Sequence, residues 1–333
     1  MKTAILSLTE GGKVLAADLA GHLPEATVLG GKGPVAQVLA ENWQGYEAFV
    51  CIMAAGIVVR AIAPLLQDKR TDPCVVVMDE KGCFAVSLLS GHLGGGNDLA
   101  RQVAVVLDGQ AVITTASDTL GLTPIDLWAR GQRLAVSSRS RLTRVSAHLV
   151  SQGKIKVFSE VAGPLPPDFQ EVNDPGSAQI VISYKTGHAE EPLQLYPPQL
   201  VVGIGCNRGT IEQEIAEALR ELFAKHSLAK QSVIRLASID LKSDEVGLLA
   251  FAERNNWPLE FFTKQQLNEV SGVSYSDAVM KATGAQGVAE PAALLAAQTG
   301  QLIIRKEKWK NVTMAVAVAD YMLSEPAPAI STI

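Results

Sequence analysis

The chain has 333 residues, of which 47% are hydrophobic and 19% charged, with a formal net charge of −5. Such a length sets roughly two or three domains, each with enough apolar residues for a core. Mild acidity argues against non-specific nucleic-acid binding, which needs a basic surface.

The N-terminal apolar run, "TAILSL", is too short for a signal peptide. "AFVCIMAAGIVVRAIAPLL" comes nearest to a membrane span, but Gly56, Arg60 and Pro64 interrupt it, short of the roughly 18 apolar residues a span needs. Cys51, Cys74, Cys83 and Cys206 form no C-x-x-C pair. A reduced, cytoplasmic protein without structural zinc is expected.

In chain order, "TAILSL" reads as a strand, "GGKVLAADLAGHL" as a helix, and "ATVLGG" as a short strand. "GPVAQVLAENW" reads as a helix, "AFVCIMA" as a buried strand, and "IVVRAIAPLLQ" as a helix beginning after Gly56. This alternation predicts a mainly parallel sheet flanked by helices. "CVVVMDEKGCFAVSLL" is two strands around Asp79–Gly82, a hairpin. "NDLARQVAVVLDG" predicts a helix capped by Asn97 or Asp98. "AVITTASD" reads as a further strand.

Around residues 131–197 the signals weaken. "SRSRLTRVSAHLVSQGK" predicts a helix with a basic face, "KVFSE" and "AQIVISYK" predict strands, and "HAEEPLQLYPPQ" reads as a linker. A second α/β region opens with "LVVGIGCNRGTIEQEIAEALRELFAKH", a strand, a glycine loop and a helix. Thr210 with Gln213 suggests a capping box. "SVIRLASID" and "PLEFFT" read as strands, "KSDEVGLLAFAERNN", "SDAVMKATG" and "GVAEPAALLAAQTG" as helices, and "QLIIRKE" with "VTMAVAVAD" as a closing strand pair. The expected organisation is an α/β domain at 1–130, a smaller middle α/β segment at 131–197, an α/β domain at 198–323, and a disordered tail at 324–333. The fold class is therefore two α/β domains with mainly parallel sheets, joined by the middle segment.

Three strand-to-helix turns carry candidate chemistry. The first, "SGHLGGGND", sets Ser90, His92, Asn97 and Asp98 around Gly94, Gly95 and Gly96. Glycines let a ligand approach the backbone, and a helix N-terminus favours an anion. His92 is a residue type suited to act as general acid or base near neutral pH. The alternative is a tight turn in which His92 is merely hydrogen-bonded. The second turn, "MAAGIVVRAIAP", leaves room at Gly56 and sets Arg60 one helical turn on, to grip a carboxylate or simply to cover the surface. In a parallel sheet, ligands favour the carboxyl ends of the strands, so these two turns would share one crevice.

The third, "GIGCNRGT", offers Gly205, Asn207, Arg208, Gly209 and Thr210 as an anion site. Its glycine spacing fails the dinucleotide fingerprint, and no acidic residue follows at the required distance. Asp240, Lys242, Glu290 and Lys306 add mixed charge at strand ends, each alone more often a cap or a solvated charge. No H-E-x-x-H, G-x-S-x-G or P-loop motif occurs, and the five histidines are scattered, so no protein-held metal is expected.

At these strings a resemblance emerges. "GIVVRAIAPLLQDKRTDPCVVVMDEKGCFAVSLLSGHLGGGNDLA" resembles the N-terminal domain of the cobalamin-biosynthesis family CbiG. "VVGIGCNRGT", "ASIDLKSDEVGLLAFA", "PLEFF" and "GVAEPAALLAA" resemble its C-terminal domain, which is shared with CobE. The resemblance implies a cobalt-precorrin-5A hydrolase of anaerobic cobalamin (vitamin B12) biosynthesis. Such an enzyme opens the lactone between the ring A acetate and C20 and releases the two-carbon unit as acetaldehyde. It implies a tetrapyrrole substrate that carries its own cobalt and serves as electron sink, so no further cofactor. No nucleic-acid or membrane partner is expected; a homo-oligomer and transient contact with neighbouring pathway enzymes are compatible with it.

Residue chemistry then suggests His92, with Ser90 and Asp98, as catalytic groups. The N–H groups of Gly94–Gly96 would bind the oxyanion, and Arg60 and Arg208 the peripheral carboxylates. Gly56, Asn97, Gly205, Asn207, Gly209, Thr210, Asp240, Lys242 and Glu290 complete the expected substrate contacts. The rival readings are a non-catalytic carrier of corrinoid intermediates and a nucleotide-binding α/β enzyme.

Overall fold

The computed structural model describes residues 1–30, 33–68, 71–92, 94–187 and 192–325. Most of the expected tail, 326–333, lies outside the described residues. The chain divides into two compact units, Met1–Leu127 and Trp128–Ile333.

In the first unit six strands are ordered β2-β1-β3-β4-β5-β6: β1 (Thr3–Ser7), β2 (Ala26–Val28), β3 (Ala48–Ile52), β4 (Cys74–Met78), β5 (Phe84–Leu89) and β6 (Gln110–Val112). All neighbours run parallel except β4 and β5. Strands β1, β3 and β4 are apolar on both faces because helices cover both. Ile5, Val50 and Val76 pack with Leu19, Leu99 and Val103 on one side. Ala4, Phe49 and Val75 pack with Leu39, Val58 and Ile62 on the other. The helices on these faces are Glu10–His22 and Gly96–Val106, and Val35–Asn42 and Ala55–Ile62.

The second unit holds two sheets. The middle one is ordered β7-β11-β10-β8-β9: β7 (Ala135–Val136), β8 (Ile155–Ser159), β9 (Phe169–Glu171), β10 (Ile180–Ile182) and β11 (Leu193–Tyr196). Only the β7–β11 pair is antiparallel. The last sheet is ordered β14-β13-β12-β16-β15: β12 (Leu200–Cys206), β13 (Val233–Ile239), β14 (Leu259–Phe262), β15 (Leu302–Lys308) and β16 (Val312–Val318). Its β12, β13 and β14 are parallel, and β16 and β15 return as an antiparallel pair. Backbone bonds tie the two sheets together: Thr186 N–H to Ser227 O (2.7 Å), Ala229 N–H to Tyr184 O (2.8 Å) and Leu323 N–H to Ala162 O (2.9 Å).

Two readings of the sequence change here. The expected linker contains β11, which is buried along its whole length and pairs on both sides. Residues 188–191 of that stretch lie outside the described residues. The strand expected over residues 111–118 stops at Val112, and Ala116–Thr119 forms a helical turn instead.

The glycine pair of "GIG" also has a packing explanation. A Cβ on Gly203 would lie 1.8 Å from the carbonyl oxygen of Ala289. Helix Ala289–Ala297 therefore sits directly on β12, and only glycine permits the approach. At Gly205 the nearest atom is 3.6 Å away, an ordinary contact. Gly203→Ala should destabilise the protein by about 3 kcal/mol, at the upper end for overpacking. Gly205→Ala should stay within about 1 kcal/mol. Urea unfolding midpoints at unchanged slope test the pair, and equal shifts would refute the packing argument.

Candidate functional site

The hairpin of β4 and β5 reverses the chain, pairing Val75 with Leu89. Ser90, His92 and the glycines therefore lie at the amino ends of β1, β3 and β4. Gly56 and Arg60 follow the carboxyl end of β3. The two turns are a strand's length apart, about 15–20 Å, so the expected shared crevice is not formed. At the β3 end a cavity of about 490 Å³ lies between Leu8, Ile52, Ala55, Val77, Glu80 and Phe84. Arg60 is exposed on its helix and does not line it.

Around His92 the side chains converge. Its Nε2 lies 2.8 Å from Asp118 Oδ2 and 3.1 Å from Ser117 Oγ. Asn97, only 4% exposed, donates from Nδ2 to Asp118 Oδ2 and Thr115 Oγ1, both at 3.1 Å. Arg101 donates to Asp118 Oδ1 at 2.5 Å and to Asp98 at 3.0 Å. Burial alone would raise the Asp118 carboxyl, but the bonds from Arg101 and His92 outweigh it and hold it below the usual carboxylate range. A charged carboxylate only accepts, so Nε2 of His92 carries the proton it donates. Nδ1 is left with its lone pair and has no partner among the described residues. The arrangement is a half-buried histidine oriented by a charged carboxylate, the form of a general base.

The glycines serve the chain itself. Gly95 N–H donates to His92 O, Gly96 N–H to Ser90 O and Asn97 N–H to Gly91 O. The donors of Gly95 and Gly96 are thus spent inside the turn and are not open to an oxyanion. A Cβ on Gly94 would meet Ser90 at 2.5 Å, and one on Gly96 would meet Leu89 O at 2.9 Å. Gly95, at φ +80°, is the helix cap, so the expected capping by Asn97 or Asp98 is replaced by a left-handed glycine. Ser90 is itself left-handed (φ +53°), and its hydroxyl donates to Asp72 O at 3.3 Å. Asp98 is largely exposed and faces Arg101.

The "GIGCNRGT" loop is likewise closed from within. The anion it holds is the protein's own Glu245, which is buried. Glu245 accepts from Gly209 N–H at 2.8 Å and pairs with Lys242 at 3.3 Å. Arg208 binds Asp244 and donates to Leu241 O at 2.7 Å, so it is not the open carboxylate grip the sequence suggested. Thr210 donates to Asn207 O at 2.8 Å, and the following helix is capped at Ile211 without a side-chain bond, so the capping box does not form. Asp240 is exposed.

A pocket of about 290 Å³ does open here, at the carboxyl ends of β12 and β13. It takes in Gly205, Asn207, Lys242 and Glu290 from the expected set, together with Lys306, Lys308, Trp309 and Lys310. Glu290 is 2% exposed and is not free to meet a ligand. Its oxygens accept from Ser274 N–H (2.5 Å), Ser274 Oγ (3.1 Å) and Lys306 N–H (2.9 Å). Burial opposes its charge, yet these donors hold the carboxyl below its usual range.

Sequence reasoning missed Asp118, Ser117, Arg101, Glu245 and the lysines flanking Trp309. For Asp118 the available signal was Thr115 before "ASD", an N-cap type followed by small and acidic residues. For the lysines it was the alternation in "KEKWK".

Fold and sites together define a multidomain α/β protein with three mostly parallel sheets. Residues 37–118 match the cobalamin synthesis G N-terminal family, 123–197 the cobalamin biosynthesis central region, and 200–317 the cobalamin synthesis G C-terminus. The cobalt-precorrin-5A hydrolase of Priestia megaterium is 38% identical over 310 residues, covering 87% of this chain and 83% of that protein. The enzyme of the same name from Salmonella typhimurium is 32% identical over 342 residues, covering 95% and 97%. Protein CobE of a Sinorhizobium species is 33% identical over 121 residues, covering 35% of this chain and 79% of that protein. The chain belongs to the CbiG family.

Asp118 gives a stability test. Its folded pKa lies below the unfolded value of about 3.9, so its contribution is complete above that value and fades as pH falls through the folded pKa. Asp118→Asn should therefore be less stable than the parent at pH 7, and the gap should narrow on acidification towards about pH 3. Urea midpoints across this range test it; a gap independent of pH would show that Asp118 is not held as the charged partner of Arg101 and His92.

Proposed function

We propose that this chain hydrolyses cobalt-precorrin-5A, opening the lactone between the ring A acetate and C20 and releasing the two-carbon unit as acetaldehyde. Membership of the family along most of the chain supports the substrate. The observation that carries the chemistry is the 2.8 Å bond from His92 Nε2 to Asp118.

The lone pair on His92 Nδ1 takes a proton from water as it adds to the lactone carbonyl. Collapse gives the acetate and frees the C20 hydroxyl. Loss of that hydroxyl proton lets the C20 oxygen become the aldehyde carbonyl as the one bond from C20 to the macrocycle breaks; C20 leaves with its methyl and hydrogen as acetaldehyde, and the macrocycle takes up that electron pair and a proton. Asp118 stabilises the imidazolium formed at each proton transfer. With the Gly95 and Gly96 donors spent, oxyanion stabilisation falls to other groups; Ser117 Oγ, 3.1 Å from His92 Nε2, stands with Asp118 on the side of the ring that orients it. The substrate brings its own cobalt, and no further cofactor enters the scheme.

His92→Ala should keep its fold and still bind the corrinoid. Acetaldehyde release should fall about 10²–10⁴-fold, the usual worth of a general acid–base group. The lactone-bearing intermediate should persist by mass. Release at the parent rate would remove His92 from the mechanism, and a wild-type protein that binds without turnover would favour a carrier of corrinoid intermediates.

A further inference from the structure

The lysine-lined pocket of the second unit is an assembled feature rather than a chance of surface charge. Side chains alternate across β15. Glu307 points to the helix Glu212–Lys225, where it binds Lys225 at 2.9 Å and His226 at 2.6 Å. Its neighbours Lys306 and Lys308 line the pocket on the opposite face. The turn to β16 adds Trp309 and Lys310. Lys242 enters from the end of β13.

Four lysines thus face one small space on a chain whose net charge is −5. The acids that adjoin them are already engaged. Glu290 is saturated by Ser274 and the Lys306 backbone. Glu245 answers Lys242, and the Lys306 ammonium rests on the carbonyls of Ser274 (3.1 Å) and Tyr275 (3.4 Å). Lys308 and Lys310 have no partner among the described residues. The Trp309 indole donates from Nε1 to Glu221 of the helix Glu212–Lys225 at 2.7 Å and packs on the core beneath that helix, which anchors the turn that carries the two lysines.

We infer that this pocket binds the carboxylate-bearing edge of a flat conjugated ring, with Lys308 and Lys310 pairing the carboxylates. A volume of about 290 Å³ suits a side arm and a ring edge, not an entire macrocycle. The inference rests on the reading above for the identity of the ring, but the charge pattern stands on its own. It gives to Lys308 and Lys310 the carboxylate-binding part that the sequence suggested for Arg208.

The test uses the full chain and uroporphyrin as probe, with its methyl ester as a control that keeps the ring and removes the charges. Binding is read by absorbance titration at two salt concentrations. The acid should bind and the ester should bind far more weakly. The double variant Lys308→Ala/Lys310→Ala should raise Kd by about 10–100-fold, as expected for losing two charge-assisted contacts, and should flatten the salt dependence. Its melting temperature should match the parent, since both side chains are exposed. Replacement of both lysines by Arg should restore most of the affinity.

An unchanged Kd in the Ala variant, or equal binding of acid and ester, overturns the inference. Acetaldehyde release from cobalt-precorrin-5A separates it from the functional reading. Lysine-dependent probe binding without release leaves the pocket and removes the reaction. Normal release with unchanged KM in the Ala variant keeps the reaction and removes the pocket.

Discussion

The antiparallel pairing of β4 with β5 governs the first unit. In an all-parallel sheet every strand-to-helix turn of one kind falls at the same end, and ligand groups gather there. One reversal splits them. Gly56 and Arg60 stay with the carboxyl ends of β1, β3 and β4, whereas His92 is carried to the other end. There β6, parallel to β5, brings Thr115, Ser117 and Asp118 to meet it. The histidine–carboxylate pair exists because a hairpin is followed by a helix and a short parallel strand, so that two successive turns open at the same end.

Both glycine-rich loops follow a second rule. Glycine clears space, but space is filled first by the chain that folds around it. Ser90, the Leu89 carbonyl and Asn97 occupy the room left by Gly94, Gly96 and Gly91. The Ala289 carbonyl fills the room at Gly203, and Glu245 is the anion at Gly209. A glycine motif read as a binding loop is therefore also a packing motif, and hydrogen-bond accounting decides between the two. Here it assigns the donors of Gly95 and Gly96 to the turn, which moves the weight of the chemistry onto side chains.

Much of the architecture was legible in the sequence. The alternation of apolar runs with amphipathic segments gave the strands of both large sheets and most of their helices, because those periods are set locally. The hairpin was legible too, from Asp79–Gly82 between two apolar runs. What was not legible depended on long-range pairing. β11 is flanked by charged residues and prolines and is buried only because β7 and β10 close on it. The end of "AVITTASD" has strand-like residues, but β6 pairs with β5 only as far as Val112 opposite Val86, although β5 runs on to Leu89, and Ala116–Thr119 turns into a helix. That error hid Asp118. His92 was found because its residue type announces itself; its partner was not, because an aspartate 26 positions away is one of many.

Charge bookkeeping, at the level of individual donors, separates the two faces of the last sheet. On the outer face of β15, Glu307 is shared by Lys225 and His226, so that cations there are answered by a carboxylate and the surface is closed. On the pocket face, the buried Glu290 takes its hydrogen bonds from two backbone N–H groups and a hydroxyl, and the charge of Lys306 adds to them. With Glu290 bonded by these donors and Lys242 paired with Glu245, the ammonium groups of Lys308 and Lys310 are left without a partner among the described residues, while the carboxylate fixes the wall that carries them. A buried acid bonded by backbone leaves neighbouring cations unpaired, and this is how a mildly acidic chain can present two unpaired lysines at one pocket.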